Sequence, residues 1–209
     1  MKKLDIVQVF TDGIGLALKN FVSLLLATVL YVITAWIPYF NVGTTIAMAS
    51  IPVELSKGKA INPLFIFDGK YRKNMGEFFI LIGLELMAFI PALMLGIIPA
   101  IVLSYAWSLA LLLFIDKGTT ALDALRKSNE LTYGNKWRIF GIKFVIVLAV
   151  YLAIIIIMGL FVRLLDLPKL ASLLTFIVVL LINPIEMSCN AIIYKHLACP
   201  EAENTYDAI

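Results

Sequence analysis

Two apolar stretches of the chain are each too long to cross a membrane only once. Residues 21–53 would measure about 50 Å as one helix, while the hydrocarbon core of a bilayer is about 30 Å thick. Residues 78–115 form an even longer run. Pro38 interrupts the first stretch, and Gly96 with Pro99 interrupts the second, as at the end of one helix and the start of the next. Each stretch is therefore predicted to fold into a hairpin of two membrane spans.

The composition excludes a water-soluble protein. Of 209 residues, 62% are hydrophobic and 15% are charged, whereas soluble domains have about 45–50% and about 25%. Two further apolar segments complete a set of six predicted transmembrane helices. They span residues 21–37, 41–55, 77–95, 99–115, 137–162 and 170–194. We interpret residues 1–199 as a single all-α, polytopic integral membrane domain and residues 200–209 as a polar cytoplasmic tail.

Charge placement predicts the orientation. Basic residues concentrate in the short cytoplasmic loops of membrane proteins. In the six-span arrangement, 15 of the 17 Lys and Arg residues lie on one side, and the exceptions are Arg163 and Lys169 in the last hairpin turn. Both termini are therefore expected in the cytoplasm. The sequence alone leaves open whether segment 41–55 crosses fully, but a re-entrant segment would move the three N-terminal lysines outside, so we favour a full crossing.

A moderately polar stretch precedes each hairpin and is predicted to form an amphipathic helix on the cytoplasmic surface of the membrane. The first stretch has an apolar stripe made of Leu4, Val7, Phe10, Ile14 and Leu18. The second begins at Asn62 and ends at Lys73. The third begins with a capping sequence at Thr120 and has one small or apolar face, which consists of Ala121, Ala124, Leu125, Ser128 and Leu131. Three repeats of interfacial helix plus hairpin would result. The alternative is that basic, asparagine-bearing junctions occur in any six-span protein.

The most distinctive sequence pattern of the chain lies between residues 115 and 141. Its characteristic residues are Asp116, Ser128, Gly134, Asn135 and Trp137. In this pattern, and in Pro99, Pro184 and Tyr194, the chain resembles the YciC-like uncharacterised bacterial six-helix membrane proteins. That family is related to the membrane domain of glycerophosphoryl diester phosphodiesterases. Outside the pattern the match is one of hydropathy.

The resemblance implies a six-helix fold in the bacterial inner membrane and no assigned activity. Phosphodiesterase chemistry needs a metal and several convergent acid or base groups. The chain has one histidine, His196, and no cysteine–histidine spacing typical of a metal site. We therefore expect no enzymatic activity, no bound metal and no cofactor.

Three charged residues fall inside predicted spans, where unpaired charges are costly and usually functional. Glu85, Lys143 and Glu186 lie roughly 15, 10 and 12 Å from the cytoplasmic ends of their helices. We predict that they converge to bind an ion, a proton or a polar head group, with Asn190 one turn beyond Glu186. The alternative is structural: Lys143 extends to the interface and pairs with one glutamate.

Two prolines within predicted spans are candidates for helix breaks. They are Pro91 and Pro184. A broken helix in a membrane exposes backbone carbonyls that can line a site. The alternative is that the proline only kinks a packed helix.

Basic residues beside the predicted spans are candidates for binding anionic lipid head groups. They are Lys70, Arg72, Lys73, Lys136 and Arg138. The alternative is that they only set the topology. Nothing beyond the formal net charge of +3 favours a nucleic-acid partner.

Two functional hypotheses follow from these patterns. The first is a non-enzymatic membrane component that interacts with partner proteins, a second copy of itself or lipids. The second is a transporter or channel for a small polar solute or ion that uses the Glu85, Lys143 and Glu186 cluster. A water-lined cavity extending from Glu85 to the outer turns would favour transport.

Overall fold

The computed structural model describes residues 3–199, and within them every regular element is helical. The ten α-helices are α1 (Ile6–Lys19), α2 (Phe21–Thr34), α3 (Phe40–Ser56), α4 (Lys70–Lys73), α5 (Met75–Leu95), α6 (Ile97–Ala106), α7 (Ala110–Lys117), α8 (Ala121–Thr132), α9 (Lys136–Ile157) and α10 (Pro168–Ala198). A 3-10 helix, Pro63–Phe67, precedes α4, and a π-helical segment, Met158–Leu164, extends α9. The predicted tail at residues 200–209 lies outside the described residues.

Within the described residues, four helical segments are long and apolar enough to cross a membrane. They are α5, the combined α6 and α7 over Ile97–Lys117, the extended α9 over Lys136–Arg163, and α10. Helices therefore form at the last four predicted spans. The boundary that Gly96 was expected to make is confirmed, since this residue separates α5 from α6 with a φ of 133°. Helices α1 and α2 are long enough only as a pair, and a bend of 80° divides them.

Helices α2 and α3 differ from these four spans in length and surroundings. With 14 and 17 residues they measure about 21 and 25 Å, less than the thickness of a hydrocarbon core. Most of α3 is buried inside the protein. Its buried hydroxyls at Thr44, Ser50 and Ser56 donate to carbonyls one turn earlier. The apolar character of α3 is thus that of a protein-core helix.

The chain between α3 and α5 runs alongside α3 instead of extending away from its end. The Arg72 guanidinium lies 5.2 Å from the ring centre of Phe40, at the start of α3. The Arg72 stem packs on Gly43, where an added Cβ would be 2.8 Å from Cγ of Arg72. Six spans would place Arg72 and the α2–α3 turn on opposite sides of a bilayer of about 30 Å, so this contact does not agree with six full crossings, and the structure does not confirm them. Hydropathy cannot distinguish a lipid-facing helix from one buried by protein.

The buried core lies at one end of the four long helices. It includes the first turns of α5 and α9, the apolar residues of α7 and the last turns of α10. Helices α1, α2 and α3 pack against this end, mainly on α10. Toward the opposite ends, most side chains of α5, α9 and α10 face outward.

The predicted interfacial stretches have three different structures. Helix α1 is capped by Asp5 and buries Val9, Gly13 and Ala17, whereas the predicted stripe is split, with Leu4 buried and Val7 exposed. Helix α8 buries most of its predicted face, but it does so against α7, α5 and α6. Residues 62–73 do not form the single helix that the repeat requires, because a 3-10 helix and one α-helical turn take its place.

The two predicted helix breaks are wrong. Pro91 lies inside α5 and Pro184 inside α10, and both helices continue through them. Each proline costs one backbone hydrogen bond, which membrane helices tolerate where other groups compensate. Pro184 leaves the carbonyl of Leu180 without its N–H donor, and the Asn183 side chain donates to the neighbouring carbonyl of Val179 at 3.1 Å.

Gly13 lies where α1 approaches α10 closely, and we predict that this position requires glycine. A Cβ on Gly13 would lie 2.7 Å from Sγ and 3.3 Å from Cα of Cys189. Both distances are too short, so α1 or Cys189 would have to move. We expect Gly13→Ala to lower the free energy of unfolding by about 1–3 kcal/mol, the usual cost of overpacking. Reversible unfolding in detergent micelles, followed by circular dichroism, measures the change.

The matched control is Gly15→Ala in the same helix. No atom lies within 4 Å of a Cβ at Gly15, and alanine has the higher helix propensity by up to about 1 kcal/mol. This variant should be neutral or stabilising. Adding Cys189→Ala to Gly13→Ala removes the nearest atom and should restore part of the loss. Equal effects of the two glycine substitutions would contradict the close α1–α10 contact.

Candidate functional site

A break between α6 and α7 organises the centre of the molecule. It covers Trp107–Leu109, and its backbone groups are bonded by side chains of α8. Ser128 Oγ accepts from the N–H of Leu109 at 3.1 Å and donates to the carbonyl of Ala106 at 2.8 Å. Thr132 Oγ1 also donates to this carbonyl, at 3.2 Å. Ser128, a residue of the distinctive sequence pattern, thus satisfies a broken segment that would otherwise leave buried polar groups unpaired.

Sequence reasoning placed the interruptions at prolines and missed this one. No proline or glycine marks residues 107–109. The only local signal is the pair of serines, Ser104 and Ser108, on either side of Trp107 in an otherwise apolar segment. The stronger signal is distant, since the groups that satisfy the break come from α8.

Glu85 lies in a cleft beside this break. The cleft has a volume of about 330 Å³ and lies between α5 and the α6–α7 segment. Its other lining residues are Ile82, Leu86, Phe89, Leu103, Ser104, Trp107, Ser108 and Leu111. The Glu85 side chain is half-buried. The cleft lining ends at Phe89 and Leu103, several residues before the turn at Gly96.

The structure brings together only two members of the predicted three-residue cluster. Lys143 in α9 is half-buried and lies within electrostatic range of Glu186 in α10, although no ion pair within 4 Å forms between them in the described residues. Glu186 is exposed, and Asn190 one turn later is half-buried. Glu85 faces a different pair of helices. The similar depths of the three residues in their helices did not specify which helix faces meet.

Asp116, at the end of α7, joins three elements. Its carboxylate forms an ion pair with Lys57, next to α3, and accepts a hydrogen bond of 2.6 Å from the Tyr194 hydroxyl in α10. The hydrogen bond that Lys57 donates to this carboxylate raises the pKa of Lys57 above its usual value. Asp116 therefore tethers α7, α3 and α10 at the buried end of the molecule.

The segment between α8 and α9 holds the N-terminal segment in place. The N–H of Leu4 donates to Oδ1 of buried Asn135 at 2.9 Å, and the Leu4 carbonyl accepts from Arg138 at 2.8 Å. Gly134 has a φ of 77°, which favours glycine at this turn. Trp137 is exposed and meets the ring of Phe140 edge-on. Of the pattern residues, Asp116, Ser128 and Asn135 thus make buried or partly buried structural bonds.

The basic residues predicted to bind lipid head groups divide into two sets. Arg72, Arg138 and Lys70 contact groups of the protein itself. Arg72 lies over the Phe40 ring, Arg138 donates to the Leu4 carbonyl, and Lys70 pairs with Asp68 at 3.4 Å. A hydrogen bond from the backbone N–H of Lys70 holds the pKa of Asp68 below its usual value. Lys73 is exposed, and Lys136 is bonded to the neutral Asn129 side chain at 2.8 Å. Lys73 and Lys136 therefore fit the lipid prediction best.

A second polar cleft of about 310 Å³ opens between α3, α4 and α7. Its charged lining residues are Glu54, Lys57, Lys70 and Asp116, so positive and negative groups are balanced. Ser50 and Tyr71 close one wall through a hydrogen bond of 3.0 Å. Among residues 3–199, no group of His, Cys, Asp and Glu is arranged to hold a metal ion.

Comparisons of the chain with protein-family models, with curated proteins and with solved structures gave no match. The chain is an all-helical protein with several helices apolar enough to lie in a membrane.

The bonds at the α6–α7 break predict that Ser128→Ala is destabilising. The substitution leaves the buried N–H of Leu109 without a partner, which costs about 1–3 kcal/mol. Unfolding in detergent measures the loss. Ser172→Ala is the matched control because that exposed hydroxyl only donates to Pro168 within α10, so a change of about 0.5 kcal/mol or less is expected. Similar effects of both variants would exclude a special role for Ser128.

Proposed function

We propose that the protein is a multi-pass protein of the bacterial inner membrane that binds partner helices or anionic lipids and catalyses no reaction. One observation carries the proposal. In the 18-residue apolar stretch of each helix, only 11% of the residues of α5, 6% of those of the extended α9 and 11% of those of α10 are buried within the chain. Helices in a membrane associate through close packing. Most of this apolar surface is therefore available to lipid, to another membrane protein or to a second copy.

The hydrogen bonds made by residues of the distinctive sequence pattern support a binding role over an enzymatic one. Asp116, Ser128 and Asn135 are all bonded within the protein. Their geometry fits a rigid base from which the membrane helices extend. The resemblance to the YciC-like family stays part of this proposal, and it agrees with a membrane component of unassigned activity.

The proposed topology has four spans instead of the six predicted from hydropathy. In this topology α5, α6 with α7, the extended α9 and α10 cross the membrane, while α1 to α4 lie on the cytoplasmic side. The support is the contact of Arg72 with Phe40 and the position of the buried core. Both termini remain cytoplasmic. Only Arg163 and Lys169 then lie on the outer side, in agreement with the distribution of basic residues.

Within this topology, the exposed stripe of α1 faces the membrane surface. Val7, Ile14 and Leu18 are exposed on the side opposite the face that packs on α10. Lys73 and Lys136 lie near the level where anionic head groups would be found. A shallow cleft lined by Tyr105, Trp137 and Lys136 offers such a lipid an apolar wall beside a cation.

The position of the α2–α3 turn distinguishes four spans from six. Trp36 in this turn is 88% exposed, so a cysteine there reacts wherever reagent is present. In a Cys199→Ala background, we expect Trp36→Cys to be protected from a membrane-impermeant maleimide in spheroplasts and labelled after lysis. Lys127→Cys should behave likewise, and Lys169→Cys should label without lysis. Labelling of Trp36→Cys in intact spheroplasts would restore the six-span topology.

Photo-crosslinking tests the partner-binding role. A photoreactive residue at Met87 or Val147, which are exposed on α5 and α9, should give discrete protein adducts in native membranes. The same residue at buried Leu81 should react only within the chain. Isotope-labelled copies distinguish self-association from a different partner. Purely lipid adducts at both exposed positions would contradict a protein partner and leave the lipid-binding form of the proposal.

A transporter is the second candidate, because the Glu85 cleft places a carboxylate inside a membrane span. The cleft does not extend to the outer turns in the described residues, which favours the binding role. Flux of amino acids, sugars and monovalent ions into liposomes tests the alternative. Flux that Glu85→Gln abolishes would favour transport, and equal flux in the two proteins would exclude a Glu85-dependent path.

A further inference from the structure

Glu85 is a carboxylate in a proposed membrane helix, and no basic side chain of residues 3–199 pairs with it. Among residues 3–199 it makes no side-chain hydrogen bond and no ion pair. Lys143 of α9 lies within electrostatic range of Glu186 in α10 and does not line the Glu85 cleft. Burying an uncompensated charge is expensive, so such a residue usually has a partner supplied from elsewhere.

The walls of the cleft select for a positive ligand. The hydroxyls of Ser104 and Ser108 donate to the carbonyls of Ile101 and Tyr105, at 2.8 and 3.0 Å. Their lone pairs therefore remain as acceptors beside Glu85. No lysine or arginine lines the cleft. Apart from the indole N–H of Trp107, the polar side-chain groups that line the cleft are thus two hydroxyls and one carboxylate.

The remaining walls suit an organic cation better than a metal ion. Phe89 and Trp107 line the cleft, and aromatic faces attract organic cations, with tryptophan the best. Calcium needs six to eight oxygen ligands and magnesium an octahedral set, which one carboxylate and two hydroxyls do not supply. A volume of about 330 Å³ lies within the range of about 300–1,000 Å³ typical of small-molecule sites.

The position of the opening adds a second property of the ligand. Leu86 and Ser104 are exposed at the edge of the cleft, within a hairpin that is long and apolar enough to lie in the bilayer. A ligand that enters here comes from the lipid phase and must itself be lipophilic. We propose that the Glu85 cleft binds lipophilic organic cations, such as quaternary ammonium or phosphonium compounds with apolar substituents. The lining of this cleft does not include Met87 or Val147, the crosslinking positions chosen above.

Binding of rhodamine 6G to the full chain in phosphatidylcholine nanodiscs, followed by fluorescence anisotropy, tests the proposal. Tetraphenylphosphonium should displace the dye, whereas tetraphenylborate, of the same shape and opposite charge, should not. We expect Glu85→Gln to weaken binding about tenfold or more, since a charge-assisted contact is lost. Glu77→Gln, in the first turn of the same helix and exposed, is the matched control and should bind normally.

Two further variants keep the test decisive if Glu85→Gln does not fold. Ser104→Lys introduces a positive charge at the exposed edge and should also weaken binding by about tenfold or more. Trp107→Phe keeps an aromatic wall with weaker attraction for cations and should have a smaller effect. Equal affinity of the Glu77→Gln, Glu85→Gln and Ser104→Lys proteins, or equal displacement by tetraphenylborate, would overturn the proposal. Neither result bears on the crosslinks expected at Met87 and Val147.

Discussion

The fold depends on how backbone polar groups are satisfied where α6 gives way to α7. A break in an apolar helix leaves N–H and carbonyl groups that lipid cannot bond. Ser128 and Thr132 of α8 bond them instead. Because α8 must lie against the break to do so, its small residues are buried there and its position in the molecule is fixed. The break in turn places Trp107 and Ser108 beside Glu85.

The direction of α7 after the break determines the remaining contacts at this end. Helix α7 ends in Asp116, which meets Lys57 and Tyr194 and so connects α3 and α10. On the other side of α10, Gly13 allows α1 to approach Cys189 closely. Asn135 then bonds the segment that precedes α1. The N-terminal helices are thus held by α7, α10 and the start of α9, through buried bonds and close packing.

Local patterns in the sequence predicted the helices well and their partners poorly. The hairpin boundary at Gly96 and the cap at Thr120 depend on a few adjacent residues, and both form as expected. The burial of α3 depends on chain segments far away in sequence, so its apolar residues were assigned to lipid. Only part of the predicted cluster forms, because depth in a span does not specify a helix face: Lys143 lies near Glu186, and Glu85 faces another pair of helices. Pro91 and Pro184 show that a residue able to break a helix need not do so.

The site was only partly accessible from the sequence. The unusual cost of Glu85 in a membrane helix can be recognised from hydropathy alone. The aromatic and hydroxyl groups around it could not be assigned, because they are brought there by an interruption without proline or glycine. Ser128 and Asn135 were recognised from the sequence pattern, but their hydrogen-bond partners, Leu109 and Leu4, are 19 and 131 residues away.

The unequal distribution of packing has a mechanical consequence. One end of the four long helices is joined by buried bonds and close contacts, while the other end has few internal contacts. The first end is therefore stiff and the second compliant. When bilayer thickness changes, helices adjust their tilt at a cost of fractions of a kcal/mol per Å. In the proposed four-span topology, the outer turns can spread or close with the bilayer while the core at the opposite end keeps its geometry.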